Sequence, residues 1–266
     1  DIYLRTKNYK NALSSLEGIK NPNGNLKIAY QKIAFSRGIE LFNDRKYAES
    51  IAHFEKSLTY PVEKTNELLC YYWKGEAWYR MNLMDNAIAD FQQFLFLPGA
   101  FNLEVFNGVY YNLGYCYFDK KDYQNSLTWF RKFTRNTPPS DGVRKSDAWV
   151  RIADCFFVQK DFQNAIDYYD SAITIRTMDS DYSLFQKSLA LGVIGHKNEK
   201  VQTLLALIGQ YKGSAYSDDA KYELGLSYMD LGEPANAMPW FDSILLVHGN
   251  SSFDEEAHEA QAHAMA

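Results

Sequence analysis

One column of small side chains constrains this chain more than any other feature. Ala12, Ser50, Ala87, Ser126, Ala165, Lys200 and Ala237 stand 35 to 39 residues apart, and all but Lys200 are small. Four residues past each comes a large apolar residue: Leu16, Phe54, Phe91, Phe130, Tyr169, Leu204, Phe241. A second small column reads Gly38, Gly75, Gly114, Ala153, Ser188, Gly225. Three residues past it stand Leu41, Trp78, Tyr117, Phe156, Leu191 and Tyr228. Columns that keep their size class through six or seven turns define a repeat protein, and a period in this range predicts a stacked array.

The clearest copy runs from Tyr110 to Pro138. Tyr110, Leu113, Gly114 and Tyr117 share one face of a helix, and Tyr123, Ser126, Leu127, Phe130 and Phe133 share one face of a second. Asp122 stands where a side chain caps the second helix, and Pro138 stops it. Gly114 and Ser126 are expected to face each other where the helices come closest, because a larger side chain would hold the backbones apart. One such hairpin has too little apolar surface to stand alone and must stack on its copies.

Tyr110, Leu113, Gly114, Tyr117, Ser126, Phe130, Phe133 and Pro138 match in order the signature of the tetratricopeptide repeat family, which the chain resembles. Trp149, Ile152, Ala153, Phe156, Ala165, Tyr169 and Ala172 match it again. The resemblance implies an all-α fold, a right-handed superhelical solenoid of antiparallel helix hairpins. It divides residues 1–266 into a truncated repeat at 1–20, six full repeats at 31–60, 69–97, 107–138, 146–175, 181–211 and 218–247, and a partial repeat or terminal helix at 251–266. The chain reads as a piece of a longer protein, because Asp1 falls inside one expected first helix and Ala266 inside another.

The period exceeds the family's 34 residues. The excess falls after the second helices, near Pro61, Pro98, Pro138 and Pro139, which predicts long connectors. Asn21 to Asn25 read as a turn-rich break. Lys200, the Gly195–His196 turn and Lys197 predict a distorted fifth repeat. Pro239, one turn past Pro234, should bend its helix or push the start later. The long connectors resemble those of outer-membrane assembly lipoproteins and the Tol-Pal coordinator family, which implies a periplasmic or outer-membrane-associated setting.

A net charge of −5 leaves no basic footprint for nucleic acid, and no run of eighteen apolar residues suggests a membrane span. Cys70, Cys116 and Cys155 are odd in number and lack paired short spacing, so they read as small buried hydrophobes. His258 and His263 are five apart, whereas a helical zinc pair needs four. No Gly-rich phosphate loop or Ser/His/Asp set is recognisable. No metal, cofactor or catalytic activity is expected.

Aromatic content of 16% is high and is not confined to the core columns. The first helices carry a second stripe at i, i+4, i+7 spacing. Its columns read Phe35, Tyr72, Tyr111, Val150, Phe185, Tyr222, then Ile39, Glu76, Tyr115, Asp154, Leu189, Leu226, then Phe42, Tyr79, Phe118, Phe157, Gly192, Met229. Two readings stay open: the stripe packs against the next repeat, or it lines a groove that holds a protein or peptide segment. The family resemblance puts first helices on the concave side, where the groove reading would place its partner. Its candidate residues are Phe35, Tyr72, Glu76, Tyr79, Tyr111, Tyr115, Phe118, Arg151, Asp154 and Phe157. The family's carboxylate clamp is not expected, since only Lys32, Asn112 and Arg151 remain of the polar positions it needs. The alternatives are a structural subunit that self-associates through its end repeats, and a glycan or lipid binder.

Overall fold

The computed structural model describes residues 8–175, 180–248 and 253–265. Among them are fourteen α-helices and no strands. The chain divides into two compact units, residues 1–136 and 137–266. The first holds α1 (Tyr9–Glu17), α2 (Gly24–Asn43), α3 (Tyr47–Leu58), α4 (Lys64–Arg80), α5 (Met84–Phe96), α6 (Phe106–Asp119) and α7 (Tyr123–Asn136). The second holds α8 (Gly142–Val158), α9 (Phe162–Ile175), α10 (Ser180–Val193), α11 (Lys197–Gln210), α12 (Ser217–Asp230), α13 (Pro234–His248) and α14 (Phe253–Met265). Six hairpins pair α2 with α3, α4 with α5, α6 with α7, α8 with α9, α10 with α11, and α12 with α13. The first helix expected over Asp1 to Arg5 lies outside the described residues.

The repeating columns build each hairpin as their sizes require. Ser126 Oγ donates to the Gly114 carbonyl at 3.0 Å, and Ser50 Oγ to the Gly38 carbonyl at 2.8 Å. A methyl group on Gly114 would sit 2.6 Å from the Phe130 ring, and one on Gly75 the same distance from Phe91. The glycine is therefore a seat for the aromatic of the facing helix. Phe54, Phe91, Phe130 and Phe241 are fully buried in these seats. Four hairpin tips turn on a left-handed residue that is not glycine: Arg45, Asn82, Lys121 and Lys160. The last two tips use Gly195 and Gly232. Asp122 caps α7 as expected, accepting from the Asn125 N–H at 3.2 Å, and Asp161 does the same for α9 through Asn164 at 3.4 Å.

Three expectations need correction. The excess over the family period goes partly into helix rather than connector: α2 has 20 residues, and α4 and α8 have 17 each. The Asn21–Asn25 break is half helix, because the Asn23 side chain accepts from the Leu26 N–H at 3.0 Å and starts α2 at Gly24. Pro239 does not delay α13, which begins at Pro234 and carries Pro239 inside.

The fifth hairpin is not distorted either. Helices α10 and α11 each run 14 residues. The Lys200 stem lies across Gly192, with its Cδ 3.2 Å from where a side chain on Gly192 would begin. Lys200 Nζ then reaches the Glu223 carboxylate on α12 at 2.6 Å. The long side chain leaves the helix crossing instead of forcing it apart.

Candidate functional site

In the first unit the stripe lies on α2, α4 and α6. Its rings stand with one side against the buried aromatics of their own second helices. Tyr111 meets Phe130 and Phe133 at centroid distances of 5.9 and 5.0 Å, and Tyr115 meets Phe130 at 5.2 Å. Tyr72 meets Phe91 and Phe94 at 6.3 and 6.1 Å, and Phe35 meets Phe54 at 5.7 Å. Phe118 packs on Tyr123 at the hairpin tip. All five stripe rings remain half-buried.

The stripe also ties neighbouring first helices together, at positions one residue past the stripe. Phe42 meets Trp73 at 5.0 Å, Glu76 accepts from the Asn112 amide, and Tyr79 donates to the Asp119 carboxylate at 3.0 Å. Burial pushes the Glu76 carboxyl above its ordinary pKa, against the pull of Arg80 and of hydrogen bonds from Asn112 and Tyr72. Tyr79 is raised for the same reason, with the Asp119 charge adding to it. At α2 the stripe opens into a cleft of about 370 Å³ bordered by Tyr9, Phe35, Ser36, Ile39, Glu40 and Asn43.

In the second unit, α8 carries Arg151, Asp154 and Phe157. Phe157 packs edge-on against Phe162 at 5.4 Å. Asp154 is 7% exposed. One of its oxygens accepts from Tyr169 at 2.8 Å and Tyr182 at 3.0 Å, and the other takes Arg151 at 2.7 Å. Arg151 also lies 3.7 Å from Asp147. Desolvation raises the Asp154 carboxyl, opposed by Arg151 and the two phenols. The network joins α8, α9 and α10, so Asp154 acts within the protein as a fastener between helices.

Sequence reasoning placed Tyr169 in the core column and missed its hydroxyl contact. The signal was present. The only tyrosine in that column falls in the repeat whose stripe carries aspartate. Tyr182 lies off every column and had no such signal. The scattered polar positions are engaged internally: Lys32 with Glu63 at 2.7 Å, Asn112 with Glu76, Arg151 with Asp154. Cys70, Cys116 and Cys155 are free thiols and buried, and burial pushes Cys70 and Cys116 up to about 12. Among the described residues no group of three or more His, Cys, Asp or Glu is placed to hold a metal ion.

Two family models described as tetratricopeptide repeat match residues 108–139 and 143–180. Those two stretches carry tetratricopeptide repeats. Solved structures agree with this fold across the chain. A crystal structure of the C-terminal part of a TPR repeat-containing protein from Cytophaga hutchinsonii is similar with a TM-score of 0.69 and 14% identity, over 98% of this chain and 97% of that one. The apo form of RapI is similar with a TM-score of 0.64 and 14% identity, over 98% and 80%. YrrB, described as a TPR protein with an unusual peptide-binding site, gives 0.58 and 19%, over 80% and 97%. No curated protein sequence matches significantly. Among the described residues no helix is long and apolar enough to cross a membrane.

Proposed function

We propose that this tetratricopeptide repeat chain is a non-catalytic interaction module that holds a segment of a partner protein along the aromatic stripe of its first helices. Repeats of this kind generally mediate protein–protein contacts. The observation that carries the reading is the posture of Tyr72, Tyr111 and Tyr115. Each ring packs against buried phenylalanines and is only half-buried. A braced aromatic has little side-chain entropy left to lose on binding and offers a large contact area. The cleft beside Phe35 and Ile39 extends the same stripe.

The test is selection of a displayed peptide library on the intact chain, followed by titration of the winners against Tyr72→Ala and Tyr115→Ala. Each substitution should weaken binding about tenfold, as for aromatic anchors elsewhere, with the helical circular-dichroism signal retained. Peptides that bind both variants as tightly as the parent would move the site off the stripe. Self-association through the end repeats is the second reading of the sequence. Light scattering across a concentration series decides it, and a strict monomer ends it. The envelope setting implied by the long connectors belongs to the same proposal and is read by cell fractionation.

A further inference from the structure

The tip of the α10–α11 hairpin differs from its siblings in a way that opens a cleft. In three other hairpins the tip is closed by a pair of rings: Phe42–Tyr47 at 5.3 Å, Phe118–Tyr123 at 5.8 Å and Phe157–Phe162 at 5.4 Å, all edge to face. In α10–α11 those two positions are Gly192 and Lys197. It is the only one of the six hairpins with no side chain at the first position. The Lys200 stem fills the part of the vacated slot nearest the backbone. What remains is a cleft of about 310 Å³ bordered by Leu189, Gly192, Val193, Lys197, Ser227 and Asp230, at the small end of ligand pockets.

Its two cations differ. Lys200 is paired with the Glu223 carboxylate at 2.6 Å. Lys197 Nζ donates only to the Asp230 main-chain carbonyl at 2.9 Å and has no carboxylate within ion-pair reach among the described residues. The carbonyl is a neutral acceptor, and a π face can also attract the ammonium. The same chain shows this contact elsewhere, with Lys132 Nζ 4.1 Å from the centre of the Trp129 ring.

We propose that this cleft receives one aromatic side chain from a bound protein segment. The ring edge enters between Leu189 and Val193, against the Lys200 stem that covers Gly192, and its face lies under the Lys197 ammonium. The visiting ring stands where sibling hairpins keep a ring of their own. The inference rests on the protein-binding reading for the source of the ring, but the cleft is tested without it.

The probe is a blocked glycyl-tryptophyl-glycine tripeptide, too short to span the stripe, titrated into the ¹⁵N-labelled full chain. A blocked glycyl-leucyl-glycine serves as comparison. The tryptophan peptide should shift the amides of Gly192, Val193 and Lys197 and bind several-fold more tightly than the leucine peptide. Lys197→Gln should weaken the tryptophan peptide about two- to fivefold, the range of an exposed cation–π contact, and leave the leucine peptide unchanged. Gly192→Phe fills the slot from within and should abolish both responses. If that variant fails to fold, the lysine substitution alone carries the test. No shift at these amides, equal binding of the two peptides, or indifference to Lys197→Gln would overturn the proposal. Because the probe ignores Tyr72 and Tyr115, the cleft and the stripe fail independently.

Discussion

The hairpins α6–α7 and α10–α11 solve one packing problem with different residues. In α6–α7 a bare glycine seats a phenylalanine, and a serine hydroxyl binds the carbonyl at the crossing. In α10–α11 the glycine is Ser188, the phenylalanine is Leu204 and the serine is Lys200, yet Leu204 is equally buried. As the seat grows, the side chain that it receives shrinks, and the lysine is accommodated by a glycine one turn away at position 192. What a repeat conserves is thus the sum of volumes at the crossing, with exceptions arriving in matched sets. Asp154 and Tyr169 form another such set in α8–α9.

The sharpest way to break this comparison is to change both seats. Gly114→Val should cost about 3 kcal/mol in thermal or urea unfolding, since its branches enter the space of the Phe130 ring. Ser188→Ala should cost less than about 1 kcal/mol, because the hydroxyl lost binds only the Phe185 carbonyl of its own helix. Adding Phe130→Leu to Gly114→Ala should recover part of the loss, and failure to recover would show that the ring is not what the glycine seats. Next in size is Tyr169→Phe, expected to cost about 1.5 kcal/mol by removing one charge-assisted bond to a buried carboxylate that keeps Tyr182 and Arg151. Lys200→Ser, which rewrites the fifth hairpin toward the third, should not stabilise it. The change strands Glu223, 26% exposed, and should cost about 1 kcal/mol. A gain would mean that the lysine is a defect and not a matched exception.

The smallest effect is a pH slope. The folded Asp154 carboxyl sits above its ordinary pKa because burial disfavours its charge. The folded state therefore holds this proton more tightly than the unfolded one, so the contribution is full below the ordinary value and is lost as pH rises through the raised one. Asp154→Asn keeps an oxygen for Tyr169 and Tyr182 and has nothing to ionise. As pH rises above about 4, parent stability should fall relative to the variant. Parallel melting profiles would show that the carboxyl is not raised.

Much of the candidate site was legible before any coordinates. The i, i+4, i+7 stripe through Tyr72, Glu76 and Tyr79, and through Tyr111, Tyr115 and Phe118, lies on single helices as its spacing requires. The sequence did not show that one side of each ring is braced by Phe91, Phe94, Phe130 or Phe133, since periodicity gives a direction around one helix and not the neighbour met there. Trp73, Asn112 and Asp119 escaped for the same reason: their partners lie on another helix, at no fixed spacing.

The sequence alone determined the class of fold, because side-chain size at four recurring positions decides whether two helices can approach, and size is written in the residue type. It also determined the cap at Asp122, which is local. Only the tertiary structure decided where polar exceptions go. Asp154 found two phenols on two other helices, and Lys200 found Glu223 across a helix boundary. A buried charge must be answered by whichever donor the packing brings near, and that donor is a property of three-dimensional neighbourhood that no single column of residues contains.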